Sequence, residues 1–206
     1  MEEHEEAEEL GRCTSAEERR KILGDLFMRH RERLCRMVGL RLDQRLQGRV
    51  DPSDVIQETY LEAFERIDEY LGNPEVSLFV WLRFLACQAV QTLHRKHLGA
   101  QARDVRREVS LFRGSMPQAT SEALAAHLLG HETSPSERVI RAERKVLLQE
   151  KLNGMSSLDR EILALRHFEH LSNLEASQVL GITEESAKKR YSRALVRLAG
   201  LLRPLE

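Results

Sequence analysis

Between residues 184 and 203 the chain carries Glu184, Glu185, Ser186, Lys188, Lys189, Arg190, Arg193, Arg197 and Arg203, and from Lys188 onward no acid interrupts the cations. On one helix such a set suits nucleic acid. Lysine and arginine neutralise phosphates, and short polar groups in the first turn reach base edges. The pairs His94/His97, His127/His131 and His167/His170 have spacings that can place two metal ligands on one helix face. No Cys pair or carboxylate joins them in a familiar pattern. Neither a phosphate-binding glycine loop nor a nucleophile motif occurs. No metal, no cofactor and no catalysis are expected.

The elements that must position the basic stretch carry clear start signals. Ser172-Asn173-Leu174-Glu175 reads as a capping box that opens a short helix ending at Leu180. Gly181 supplies a turn, and Thr183 caps a last helix that reaches about Leu202. Residues 172–198 therefore predict a helix-turn-helix. Ala176 and Ala187 are small enough for the two helices to cross closely, and Leu174, Val179, Leu180, Ile182, Tyr191, Ala194 and Leu195 form the expected core. The alternative is an ordinary amphipathic hairpin with a solvated basic face. Upstream, Ser134-Pro135-Ser136-Glu137 opens a helix to about Leu152, and another runs from about Leu158 to Glu169.

The first half is organised separately. From about Ala16 to Leu46, Leu23, Leu26, Phe27, Leu34, Met37, Val38 and Leu42 recur at threes and fours. Asp51-Pro52 starts a second helix, whose apolar stripe is Ile56, Tyr60, Ala63, Phe64, Ile67 and Leu71, with Asp54, Gln57, Glu58, Glu62 and Glu65 largely off it. Gly72-Asn73-Pro74 breaks it, and a third helix spans about Val76 to Leu98. Residues 100–134 lack sustained periodicity and predict a flexible linker, with one short helix at Ser121 to Leu129. Residues 1–15 carry Glu2, Glu3, Glu5, Glu6, Glu8 and Glu9 and predict a disordered acidic arm. The expected architecture is all-α, with two small helical domains at 16–99 and 135–206.

Composition agrees with this. Among 206 residues, 32% are charged and 5% aromatic, and Leu, Ala, Glu, Arg and Gln outweigh strand formers. The net charge of −1 hides an acidic start and a basic end. Cys13, Cys35 and Cys87 are sparse and odd in number, which suits a reducing cytoplasm rather than a disulfide framework. No apolar run nears the ~20 residues of a membrane span, and the acidic start has the wrong sign for a signal peptide. A cytoplasmic protein without membrane insertion is expected.

Two motifs in order carry a family resemblance. Ser157 to Leu163, followed by Leu180-Gly181-Ile182-Thr183 and Ala187 to Ala194, resembles region 4 of the extracytoplasmic-function subfamily of sigma-70 RNA polymerase sigma factors. Asp54 to Ala63 resembles region 2.2 of that family, and Leu78 to Lys96, with Trp81-Leu82 near its start, resembles regions 2.3 and 2.4. The wording of Val50 to Asp54 is similar to members common in planctomycete-like bacteria. The resemblance covers roughly 16–98 and 137–203, with no region 3 in the linker.

It implies a sigma factor that binds core polymerase and directs promoter recognition. Asp54, Gln57 and Glu58 match the face that docks on the polymerase β′ clamp helices, and acids and an amide suit a basic coiled coil. Asn73, Ser77, Trp81, Gln88, Gln91, Arg95 and Lys96 match the part that melts and reads the minus-10 element, a task that calls for polar groups, aromatics and cations. Trp81 equally fits the core. Glu185, Ser186, Lys188, Lys189, Arg190 and Arg193 match the minus-35 reader. Glu184-Glu185 stands where small or apolar residues are common, Tyr191 where Leu is usual, and Gly72-Asn73-Pro74-Glu75 is not the commonest minus-10 loop. Implied partners are core polymerase (β′ clamp helices and β flap), promoter DNA and an anti-sigma factor. The competing reading is a one-component or response-type regulator using the same helix-turn-helix, which has no need of the Asp54-to-Trp81 constellation.

Overall fold

The computed structural model describes residues 2–43, 45–46, 48–98, 118–130 and 135–202, with the backbone alone at 2–4, 98 and 135–141. Every regular element among them is helical: α1 (Glu2–Gly11), α2 (Ala16–Arg41), α3 (Pro52–Gly72), α4 (Leu78–Leu98), α5 (Ser121–Leu129), α6 (Pro135–Asn153), α7 (Ser157–Leu163), a π-helical turn (Ala164–Phe168), α8 (Asn173–Leu180) and α9 (Glu184–Leu202). The chain divides into two compact units, one of Met1–Pro117 with Gln178–Gly181, the other of Gln118–Ser177 with Ile182–Glu206.

In the first unit α2, α3 and α4 pack on one another. Ser15 Oγ accepts the Glu18 N–H at 3.1 Å and so starts α2. Asp51 Oδ1 accepts the Ser53 N–H at 2.8 Å, and Pro52 occupies the first turn of α3, where its missing N–H costs nothing. The expected apolar residues of α2 meet buried Val55, Ile56, Ala63 and Ile67 of α3 and an α4 that is buried continuously from Leu78 to Cys87. Phe27 meets the edge of Tyr60 at 5.1 Å, and Tyr70 stacks on Trp81 at 4.8 Å. Tyr70 also donates its O–H to the Val76 carbonyl at 3.0 Å, which ties the loop before α4 to α3. Burial pushes the Tyr70 phenol pKa up.

The acidic arm expected at 1–15 is instead the helix α1, packed on α2, α3 and α4. Leu10 is wholly buried, and Glu6 meets His30 Nε2 at 3.0 Å in a largely shielded pair. The reason is a short stripe hidden in a run of like charges. Ala7 and Leu10 lie three apart on the packed face, while Glu5, Glu8 and Glu9 stay in solvent. The first domain thus begins before residue 16. Its first long helix stops at Arg41, short of the expected Leu46.

The second unit begins before residue 135. The expected short helix at 121–129 is present as α5, but it is no part of a free linker, because it packs on α6. Ala119, Ala123, Leu124 and Ala125 are buried, the Ala119 N–H donates to Glu161 Oε2 at 3.2 Å, and Lys145 pairs with Glu122 at 3.2 Å. Small side chains let α5 lie close to its neighbour without the strong periodicity that marks a core helix. The remaining linker residues, 100–117 and 131–134, the capping groups expected at 134–137 and Arg203 lie outside the described residues. The helix expected from 158 to 169 is α7 followed by the π-helical turn, after which His170 takes a φ of 56° in the left-handed region.

Candidate functional site

The basic stretch is positioned as its start signals require. Ser172 Oγ accepts the Glu175 N–H at 3.0 Å while Glu175 Oε2 accepts the Ser172 N–H at 2.6 Å, so both ends of the capping box are made. Gly181 has a φ of 64°, a conformation that costs a side-chain-bearing residue energy, and the Ile182 N–H returns to the Ser177 carbonyl at 3.1 Å. Thr183 Oγ1 accepts the Ser186 N–H at 3.2 Å and opens α9. Ala176, Ala187 and Ala194 are wholly buried, as is Leu171. Of the residues expected in this core only Ala194 is buried; Val179, Leu180, Ile182, Tyr191 and Leu195 are half-buried and Leu174 is 38% exposed, while Leu198 is buried beside the small residues.

Glu184, Glu185, Ser186, Lys188, Lys189 and Arg193 are exposed along α9. Lys189 reaches Glu185 one turn back at 2.6 Å, both side chains remaining in solvent. Arg190 does not share this face. Its guanidinium turns to the buried carboxylate of Asp159 on α7, at 3.2 Å, and Arg197 reaches the other carboxylate oxygen. Arg166 lies over the ring of half-buried Tyr191 at 5.3 Å. The sequence does not announce the Asp159 partnership, because the three residues are 31 and 38 positions apart.

In the first unit Asp54, Gln57 and Glu58 are exposed and alternate with buried Val55, Ile56 and Thr59. The fold adds a feature that sequence reasoning missed. A groove of about 510 Å³ opens between α2 and α3, lined by Met28, Arg31, Tyr60 and Leu61 among others, with Gln57 at its wall. Met28 and Leu61 are 64% and 60% exposed. The signal was available in part, since both are large apolar residues that lie off the stripes of their helices.

The expected minus-10 residues divide. Asn73, Arg95 and Lys96 are exposed, and Gln88 and Gln91 are partly so. Asn73 Nδ2 donates to Glu75 Oε1 at 2.9 Å, and Arg66 donates to Gln88 Oε1 at 3.3 Å. Trp81 is 4% exposed beneath Tyr70, and Ser77 is buried, its Oγ accepting the Val80 N–H at 3.3 Å. As they stand, both serve the start of α4 and offer no surface to a base.

His94 is likewise a fold residue. Its Nε2 accepts the Asp43 backbone N–H at 3.1 Å, which requires a lone pair there and hence the uncharged ring in that contact. Burial pushes its pKa down, Asp43 opposing and Arg45 assisting. Arg45, through its hydrogen bond first, holds the Asp43 carboxyl at about 2. Among the described residues no three His, Cys, Asp or Glu converge for a metal. No helix among them is long and apolar enough to cross a membrane.

Residues 145–198 match the family described as Sigma-70, region 4. Over 202 residues the chain is 23% identical to the RNA polymerase sigma factor CnrH of Cupriavidus metallidurans, covering 96% of this chain and 95% of that one. Over 153 residues it is 26% identical to the sigma factor NccH of Alcaligenes xylosoxydans xylosoxydans, covering 74% and 73%. Its fold is similar to that in the structure of CnrH in complex with the cytosolic domain of CnrY, with a TM-score of 0.53 at 19% identity over 99% of each chain. That likeness speaks for the all-α fold. The family match and the relatives make the chain similar to sigma factors over its last third and, more weakly, over nearly its whole length. The planctomycete-like affinity expected from residues 50–54 gains nothing from them.

Proposed function

We propose that this chain is a sigma factor of the extracytoplasmic-function type, which binds core RNA polymerase and brings it to promoters through two separate DNA-reading units. The observation that carries this reading is the pairing of a helix-turn-helix inside the region 4 match with likeness to a sigma factor over nearly the whole chain. A regulator that shared only the helix-turn-helix has no reason to resemble a sigma factor across its first unit.

In this reading α9 enters the major groove at the minus-35 element. Glu185 and Ser186 are nearest its N-terminus and meet base edges, while Lys188, Lys189 and Arg193 meet phosphates. An acid at this position suits a cytosine amino group. Asn73, Gln88, Gln91, Arg95 and Lys96 serve the minus-10 element. Ser77 and Trp81 support them from within, because burial leaves neither a face for DNA. Asp54, Gln57 and Glu58, together with the groove that opens beside Gln57, form the polymerase-docking surface for the β′ clamp helices, and the second unit meets the β flap. CnrH is seen with the cytosolic domain of CnrY, which supports a protein partner of the anti-sigma kind for this chain as well.

The test is retention of the full chain on purified core polymerase, followed by promoter-directed initiation. The wild-type chain is expected to bind and to direct initiation. The triple variant Asp54→Ala, Gln57→Ala, Glu58→Ala is expected to lose core binding with an unchanged circular dichroism spectrum. A chain that binds promoter duplex but never core polymerase is a helix-turn-helix regulator instead, and the proposal is then wrong.

A further inference from the structure

Helix α9 carries five cations between Lys188 and Arg197, and two of them, Arg190 and Arg197, reach the same carboxylate on α7. We infer that Asp159 is a positioning residue for minus-35 reading: its buried carboxylate holds Arg190 and Arg197 against α7, sets the rotation of α9, and withholds both guanidinium groups from the DNA backbone. The inference rests on the reading of α9 as the DNA-facing helix.

The geometry supports each part. Seven residues are about two helical turns, so Arg190 and Arg197 stand one above the other, within about 20° of the same direction. The residue that carries the carboxylate is anchored through its backbone. The Asp159 N–H donates to Ser156 Oγ at 3.1 Å in the cap of α7, and its side chain is only 4% exposed. Arg160, the next residue, donates to the Leu152 and Met155 carbonyls at 3.2 and 2.6 Å and fixes the corner between α6 and α7. A shielded carboxylate is costly unless it is paired, so it selects the rotation of α9 that brings both arginines to it. That rotation turns Glu185, Lys189 and Arg193 outward together. Arg190 and Arg197 keep 36% and 60% of their side-chain surface in solvent. They are therefore near enough to the surface to reach phosphates once released.

Two consequences follow that scaffolding alone does not produce. If Asp159 loses its charge, α9 loses a rotational reference, and discrimination between promoters falls. At the same time two arginines become available to phosphate, and binding grows more salt-dependent by about 0.9 units of slope for each added contact. A residue that only stabilised the unit would lower the amount of folded protein and leave the slope alone.

The experiment uses holoenzyme reconstituted with full-length wild type or Asp159→Asn, bound to one promoter with its preferred minus-35 element and to the same promoter with that element scrambled, across a potassium chloride series. Asp159→Asn is expected to lose about tenfold in preference, the worth of roughly one base contact, and to steepen the dependence of log affinity on log salt by about one to two units. Adding Arg190→Gln and Arg197→Gln is expected to return the slope to the wild-type value without restoring preference. Should Asp159→Asn not fold, Asp159→Glu carries the test. Its longer arm still holds the arginines, so the slope stays at wild type while preference falls, and unchanged preference overturns the inference. Equal losses on both promoters at an unchanged slope overturn it too, as do wild-type preference and slope in a folded Asp159→Asn. If the wild-type holoenzyme itself ignores the minus-35 sequence, the DNA-facing assignment of α9 fails and the inference falls with it.

Discussion

The two helices proposed to face DNA, α4 and α9, are held in opposite ways. Helix α4 is submerged at its start: every residue from Leu78 to Cys87 is buried, partial exposure begins at Gln88, and full exposure comes where its last turns carry Arg95 and Lys96. Helix α9 buries only Ala187, Ala194 and Leu198, with Tyr191 and Leu195 half-buried and Arg190 and Arg197 bound to one carboxylate. Hydrophobic burial is non-directional and tolerates changes elsewhere on the surface. An ion pair depends on particular partners in a particular geometry. In α4 the groups that hold the helix and the groups proposed to touch DNA are therefore separable. In α9 they are the same chemical type, and charge alone does not tell a DNA contact from a strut.

The largest expected effect tests the α4 side of this contrast. Leu85→Ala, at a wholly buried position, is expected to destabilise the first unit by about 2–5 kcal/mol in chemical denaturation. Arg95→Ala with Lys96→Ala is expected to leave stability within about 0.5 kcal/mol and to weaken binding to minus-10 single strands. Comparable destabilisation by both would erase the separation claimed for α4.

A smaller effect is expected at the entry to the helix-turn-helix. Ser172→Ala removes one half of the reciprocal capping box and should cost about 0.5–2 kcal/mol, with faster amide exchange in α8. Exchange unchanged in α8 would mean that packing, not the cap, starts this helix.

On α9 itself the contrast is between neighbours. Arg193→Ala is expected to weaken binding to all promoter sequences evenly and to reduce the salt slope by about one unit, with thermal stability unchanged. Arg190→Ala is expected to do the reverse and lower the melting temperature, because its guanidinium faces Asp159. Identical behaviour of the two would show that Arg190 leaves the carboxylate when DNA is present.

The smallest effect concerns pH and belongs to the first unit. His94 has a folded pKa depressed by burial. Its contribution is therefore complete above the unfolded value of about 6.5 and is lost as pH falls below it, since the unfolded chain takes up the proton first. Asp43, held at about 2, adds no change until pH falls below about 3.9. Melting temperature is expected to drop between pH 7.5 and 5.5, and His94→Gln is expected to flatten that drop. A drop that is the same in His94→Gln would assign the pH dependence to another group.

Much of the chain was legible as sequence because local chemistry decides local structure. Asp51-Pro52, Ser172 with Glu175, and Thr183 each mark a helix start that can be read from a few residues, and α3, α8 and α9 begin there. The bounds expected for α5, Ser121 to Leu129, are those it has, although no start signal marked them. What α5 does was not legible, because alanines that pack closely carry no more pattern than alanines in a tethered helix. The acidic run of residues 2–9 dominated the reading of α1, although one buried leucine and one shielded glutamate were enough to dock it.

The sequence by itself determined the all-α class, most helix starts and the basic character of α9, since these depend on residues within a few positions of one another. Only the tertiary structure decided which cations of α9 face solvent, that Trp81 lies under Tyr70, and that Met28 and Leu61 open onto a groove between α2 and α3. Those facts depend on partners outside the helix that carries each residue. Helical periodicity places a side chain on a face, but the packed neighbour settles whether that face meets water, an aromatic ring or a buried carboxylate.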